Sequence, residues 1–180
     1  HWQVLSDGRI RCDQCPRRCT LRDGQRGFCV VREARAGQLI LTAYGRTTGL
    51  CVDPVEKKPL YHFLPGSAVL SLGTIGCNLG CAFCQNWHMT RSQVDARLVE
   101  PAAPETIAHA AVELGCAAVA FTYNDPVTWA EYASDTAEAC HAVGVRTIAV
   151  TAGYVTPEAR PAGSGSGRVA RADRWAATAA

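Results

Sequence analysis

Val69-Leu-Ser-Leu-Gly-Thr-Ile-Gly-Cys-Asn-Leu-Gly-Cys-Ala-Phe-Cys84 is the stretch on which the fold assignment turns. Its opening, 69–73, is short, mostly apolar and ends in glycine, the pattern of a buried strand. Three cysteines follow at what would be the carboxyl end of that strand. Further along, 104–114 reads as a helix. Pro104 suits its first turn, Ile107, Ala108, Ala111, Val112 and Leu114 fall on one side, and Gly115 stops it. A second apolar run covers 117–122. A longer helix covers 126–143, with Val127, Ala130, Ala133, Ala137 and Cys140 at spacings of three and four, and Gly144 ends it. A third β-branched run covers 146–151. Strand, helix, strand, helix, strand implies an α/β fold with a parallel sheet. Functional residues in such sheets lie at the carboxyl ends of the strands, here 73–84, 122–126 and 151–154.

Upstream the texture differs. Residues 1–37 are rich in Cys, Arg and Gly, show little periodicity and can hardly bury a core alone, so a metal clip is the expected organiser. Residues 38–68 read as a connector of short strands, 38–44 and 48–52, followed by turns at Pro54, Pro59, Pro65 and Gly66. Residues 69–160 form the α/β part. In 161–180, Ala, Gly, Arg and Ser fill 15 of 20 positions, which reads as a disordered or out-of-frame tail. His1 in place of Met points to a fragment.

Composition narrows the function classes. The chain has 180 residues, 10 of them cysteine, and a net charge of +2. That charge is too mild to argue for nucleic acid. No run approaches a membrane span and residues 1–15 hold no signal-like apolar core, so a cytoplasmic protein without membrane partners is expected. In that compartment many cysteines point to metal or redox chemistry rather than disulfides.

The central cysteines, Cys77, Cys81 and Cys84, have the spacing C-x3-C-x2-C. Three thiolates suit a [4Fe–4S] cluster and leave one of its irons without a protein ligand. An open iron can chelate S-adenosylmethionine (SAM) and pass it an electron, which is the chemistry of reductive SAM cleavage. The alternative is zinc, with His88 completing a Cys3His site. At the amino end, Cys12, Cys15, Cys19 and Cys29 supply four thiolates and would close a site, as structural zinc or as a second iron–sulfur cluster. Cys51, Cys116 and Cys140 read as small core residues. His62 reads as a packed loop residue, and Trp87 either packs at the cluster or the adenine or is a core aromatic.

The motif C-x3-C-x-aromatic-C after a strand resembles the radical SAM superfamily. The blocks Asp53-Pro-Val-Glu-Lys-Lys-Pro-Leu-Tyr-His-Phe-Leu-Pro-Gly66, Gly76-Cys-Asn-Leu with Cys-Gln-Asn-Trp87, Phe121-Thr-Tyr-Asn-Asp-Pro126 and Val150-Thr-Ala-Gly-Tyr154 resemble the AmmeMemoRadiSam-system enzymes. These are relatives of pyruvate formate-lyase activating enzymes. The resemblance implies a partial (β/α)6 TIM-like radical SAM barrel, here only about its first three β/α units. The small Cys-rich metal-binding segment precedes it, and the chain looks C-terminally truncated. It implies a [4Fe–4S] cluster on Cys77, Cys81 and Cys84, with SAM met by Thr122, Asn124 and Asp125 and by Gly153. In activating enzymes the place of Asn124-Asp125-Pro126 carries Gly-Glu-Pro. Asp125 keeps an anion for the SAM ammonium but is one methylene shorter. The bland reading of Asn-Asp-Pro is a capped strand-to-helix turn. The implied partners are SAM, a flavodoxin- or ferredoxin-like electron donor and a protein substrate whose glycine loses hydrogen. No side chain is singled out as a catalytic acid or base. The competing expectations are a non-catalytic zinc-binding module and an inactive fragment.

Overall fold

The computed structural model describes residues 1–92 and 100–160. The tail reading of 161–180 lies outside these described residues. The amino-terminal segment folds as β1 (Trp2–Val4), β2 (Ile10–Cys12) and β3 (Thr20–Leu21), an antiparallel sheet in that order, then the hairpin β4 (Arg32–Arg35) and β5 (Gln38–Leu41). Ala36 and Gly37 both take positive φ, 49° and 77°, as a two-residue hairpin turn requires. Ile10, Cys12, Leu21, Ala34 and Leu39 form a small core of their own. The segment therefore carries more regular structure than its sequence texture suggested, because short cross-strand pairs leave no long periodic run.

After β6 (Arg46–Thr47) and β7 (Leu50–Pro54), the chain enters β8 (Ala68–Leu72), the short α1 (Trp87–Thr90) and β9 (Glu100–Pro101), which pairs with β6. Helix α2 (Pro104–Glu113), β10 (Ala118–Phe121), α3 (Ala130–Ala142) and β11 (Arg146–Ala149) complete the described elements. The main sheet runs β11-β10-β8-β7. β8, β10 and β11 are parallel, as the apolar runs predicted. β7 joins antiparallel, with Leu50 opposite Leu72 and Pro54 opposite Ala68. Part of the stretch read as a connector is thus an edge strand of this sheet. Mixed α/β content with three parallel strands fits part of a radical SAM fold, and no closed barrel occurs among the described residues.

The two faces of the sheet bury different cores. Leu70, Leu72, Val119 and Phe121 meet Ile107 and Ala111 of α2 and Tyr132, Ala133 and Ala137 of α3. On the other face Val69, Ala118, Ala120 and Ile148 are covered by Val55, Leu60, Phe63 and Leu64. Strands buried on both faces read as continuous apolar runs, which is why the sequence revealed them. The helix expected from 126 begins as a 3-10 turn, Pro126–Trp129, and becomes α-helical at Ala130. Cys116 and Cys140 are buried as expected, whereas Cys51 is exposed. It lies on the edge strand β7, where Leu50 and Val52 are exposed too. Among the described residues no helix is long and apolar enough to cross a membrane.

Candidate SAM and iron–sulfur site at the carboxyl ends of the strands

The three parallel strands end side by side, and their terminal residues are cross-linked by buried polar groups. Asn124 is the centre of this linkage. Its Nδ2 donates to the Gly76 carbonyl at 2.7 Å and to Thr74 Oγ1 at 3.0 Å. Its Oδ1 accepts from the Thr74 amide at 3.1 Å and from Trp129 Nε1 at 3.2 Å. The side chain is buried and clamps the approach to the cysteine loop onto the end of β10. Thr122 extends the ladder, its amide donating to the Leu72 carbonyl at 2.8 Å.

Asp125 is also buried and fully engaged. Oδ1 accepts from the Val127 amide at 3.0 Å and from Thr151 Oγ1 at 2.9 Å, and Oδ2 accepts from the Ala152 amide at 3.1 Å. Burial pushes its pKa up, against the pull of these donors. The carboxylate therefore caps the 3-10 turn and ties the end of β10 to the end of β11, which is the bland reading of Asn-Asp-Pro realised. Gly153 adopts φ +66°, yet nothing lies within 4 Å of where a Cβ would stand. Glycine is called for there by the turn rather than by a close neighbour.

The cysteine loop begins against the amino-terminal segment. Gly76 has φ +76°, and a Cβ there would sit 1.9 Å from the Cys29 carbonyl oxygen. Cys77 is buried, and burial raises its thiol pKa against the amides of Asp125 and Leu79, which point at the sulfur. Cys84 is half-buried, with Sγ 3.5 Å from Thr90 Oγ1, and Cys81 is exposed. Asn78 Nδ2 donates to the Tyr154 carbonyl at 2.9 Å, and Asn86 Nδ2 to the Tyr123 carbonyl at 2.9 Å. Both ends of the loop are therefore fastened to the strand termini. Phe83 and Trp87 stand out into solvent at 88% and 65% exposure, so Trp87 is no core aromatic.

The donor set suits an iron–sulfur cluster in its chemistry: three soft thiols on one loop, close to backbone amides that can donate to sulfur. Among the described residues no three His, Cys, Asp or Glu side chains are gathered to hold a metal ion as they stand. His88, the fourth ligand of the zinc alternative, is exposed on α1.

A second polar cluster was not assigned from sequence. Asp53 on β7 accepts from Lys57 Nζ and Lys58 Nζ, both at 2.7 Å, and from Ser71 Oγ at 2.8 Å. Tyr123 Oη lies 3.4 Å from the same carboxylate, and the Lys58 ammonium sits 5.4 Å from the Tyr123 ring centre. Burial alone would raise the Asp53 pKa, but the lysines and Ser71 outweigh it and hold the carboxyl well below the usual carboxylate range. Tyr123 itself has φ +71°, and burial pushes its phenol up to about 12. Non-glycine residues in that region store strain and cluster at functional sites. Ser71, the one polar residue in the β8 run, was the available signal. His62 is exposed. Beside Tyr123, a cleft of about 380 Å³ opens between Thr48–Cys51 and Asn86–Met89. Its lining includes Asn86, two residues past Cys84.

The radical SAM superfamily pattern matches residues 72–162. An uncharacterized protein of Methanocaldococcus jannaschii is 37% identical over 157 residues, covering 87% of this chain and 47% of that protein. The chain thus spans about half the length of the curated relative it matches. No solved structure matches it.

Proposed function

Because the chain belongs to the radical SAM superfamily, we propose that it cleaves SAM reductively in the manner of pyruvate formate-lyase activating enzymes, within the AmmeMemoRadiSam group. Cys77, Cys81 and Cys84 would hold a [4Fe–4S] cluster, which when bound delivers one electron to SAM and yields methionine and a 5′-deoxyadenosyl radical. The observation that carries this reading is the clamped three-cysteine loop at the carboxyl ends of the parallel strands.

The chain's own residues do the positioning. Asn124 fixes residues 74–76 and so aims the loop. The Asp125 and Leu79 amides stabilise negative charge on the Cys77 sulfur. Because the Asp125 carboxylate already serves three donors, the SAM ammonium would be met instead by backbone groups of Thr122–Asn124. The cleft beside Tyr123 would admit a substrate segment, for which a glycine in a partner protein is the reading. The lysine-linked Asp53 would hold the phenol of Tyr123 in place at the cleft floor. A flavodoxin- or ferredoxin-like protein in the cytoplasm would supply the electron.

The test is anaerobic reconstitution with iron and sulfide, reduction, and addition of SAM. Visible absorbance from a cysteinyl cluster and formation of 5′-deoxyadenosine are expected, with both lost in Cys81→Ala. A reconstituted protein that carries iron and SAM yet forms no 5′-deoxyadenosine would overturn the reading. A colourless, zinc-filled central loop would favour the zinc-binding alternative.

A further inference from the structure

We propose that Cys12, Cys15, Cys19 and Cys29 bind one thiophilic divalent ion of the zinc class, and that this ion fixes the start of the central cysteine loop. The four thiols are free and line a single small pocket. The space inside is about 20 Å³, room for one water-sized guest. Four thiolates with no position left open are the donor set of a closed, tetrahedral structural zinc site. Four thiolates around a divalent ion leave net negative charge. The buried Arg32 guanidinium lines the same pocket and adds a favourable field there, although its main partner is Glu131. The four thiols line the pocket wall without being gathered around one point as they stand, so the ion would have to draw them inward.

The pocket is wired to the other loop. Arg17 Nε donates to the Asn78 carbonyl at 2.6 Å, and Asn78 itself lines the pocket. The Cys29 carbonyl occupies the place a side chain at residue 76 would need. An ion that closes Cys15 and Cys29 together therefore holds both walls against which residues 76–78 rest. The small core of the amino-terminal segment gives it little independent stability, so metal binding contributes to folding there.

Metal analysis of the full chain tests the assignment independently of SAM cleavage. Zinc at about one equivalent per chain is expected, retained in the Cys77/Cys81/Cys84→Ala variant and lost in Cys12→Ser/Cys29→Ser. Should that double variant fail to fold, cobalt loaded into the central-loop variant reads the ligands directly. Tetrahedral ligand-field bands with intense thiolate charge transfer are expected, and their absence overturns the site. About eight irons per reconstituted wild-type chain without zinc would overturn it in favour of a second cluster, and so would zinc that survives loss of Cys12 and Cys29. For the loop, stripping zinc with a strong chelator should speed hydrogen exchange at the Gly76 amide, which donates to the Met89 carbonyl at 3.0 Å, by about tenfold or more. Unchanged exchange would separate the ion from the loop.

Discussion

Asn124 shows how much one side chain decides here. It makes contacts that a shorter or charged residue cannot reproduce, and all are buried. Asn124→Ala leaves the Gly76 carbonyl and the Trp129 indole without that partner, and each unsatisfied buried group costs about 1–3 kcal/mol. A loss of about 2–4 kcal/mol in urea unfolding is expected, with Asn124→Asp also destabilising because it surrenders both donors. Wild-type stability in Asn124→Ala would remove the clamp from the account. Asp53 and Asp125 give opposite pH signs. Asp53 is held low, so its contribution is full above the unfolded carboxyl value of about 3.9 and is lost as pH falls through the lower folded value. Asp125 is raised, so its contribution is present at low pH and lost as pH rises through the folded value. Asp53→Asn should lower stability at neutral pH and flatten the decline below about pH 4. A decline as steep as that of the wild type would show that other carboxylates cause it.

Among elements, α3 links the amino-terminal segment to the sheet. Arg32 of β4 donates from Nε to the Thr128 carbonyl at 3.0 Å and forms a fork to Glu131 at 2.8 and 2.5 Å. Arg32 is buried while the Glu131 side chain is half exposed, so the pair is worth less than a fully buried one. Glu131→Gln is expected to cost about 1–3 kcal/mol, and Arg32→Lys at least as much, because an ammonium cannot reach both carboxylate oxygens and the Thr128 carbonyl together. Equal stability of Arg32→Lys and wild type would show that charge alone suffices.

For the whole molecule, the amino-terminal segment and the α/β part meet at several places far apart in sequence. Arg18 pairs with Glu158 at 2.8 Å, Thr156 Oγ1 donates to the Asp13 carbonyl at 2.5 Å, and Cys29 abuts Gly76. Such linkage makes the two unfold together. Far-UV and near-UV signals should give coincident thermal transitions, and two separated transitions would mean that the segment is an independent unit.

The parallel strands, both long helices and the central cysteine motif were legible in the sequence, because apolar runs, helical spacing and cysteine spacing are local patterns. Thr122, Asn124, Asp125 and Gly153 were legible as a place, the ends of adjacent strands, but not as roles. Whether Asp125 is free for a ligand depends on Thr151 and Ala152, and whether Asn124 is a clamp depends on Thr74 and Gly76. Those partners lie 26 to 50 residues away. The same holds for Asp53, whose neighbours Ser71 and Tyr123 come from β8 and from the bend after β10, and for Cys51, exposed because β7 is an edge. The sequence by itself determined which chemistry the cysteines can support and that a parallel sheet presents them. Only the tertiary structure decided which polar groups are consumed in holding that sheet's ends together, since hydrogen bonds between strands are set by register and packing rather than by spacing along the chain.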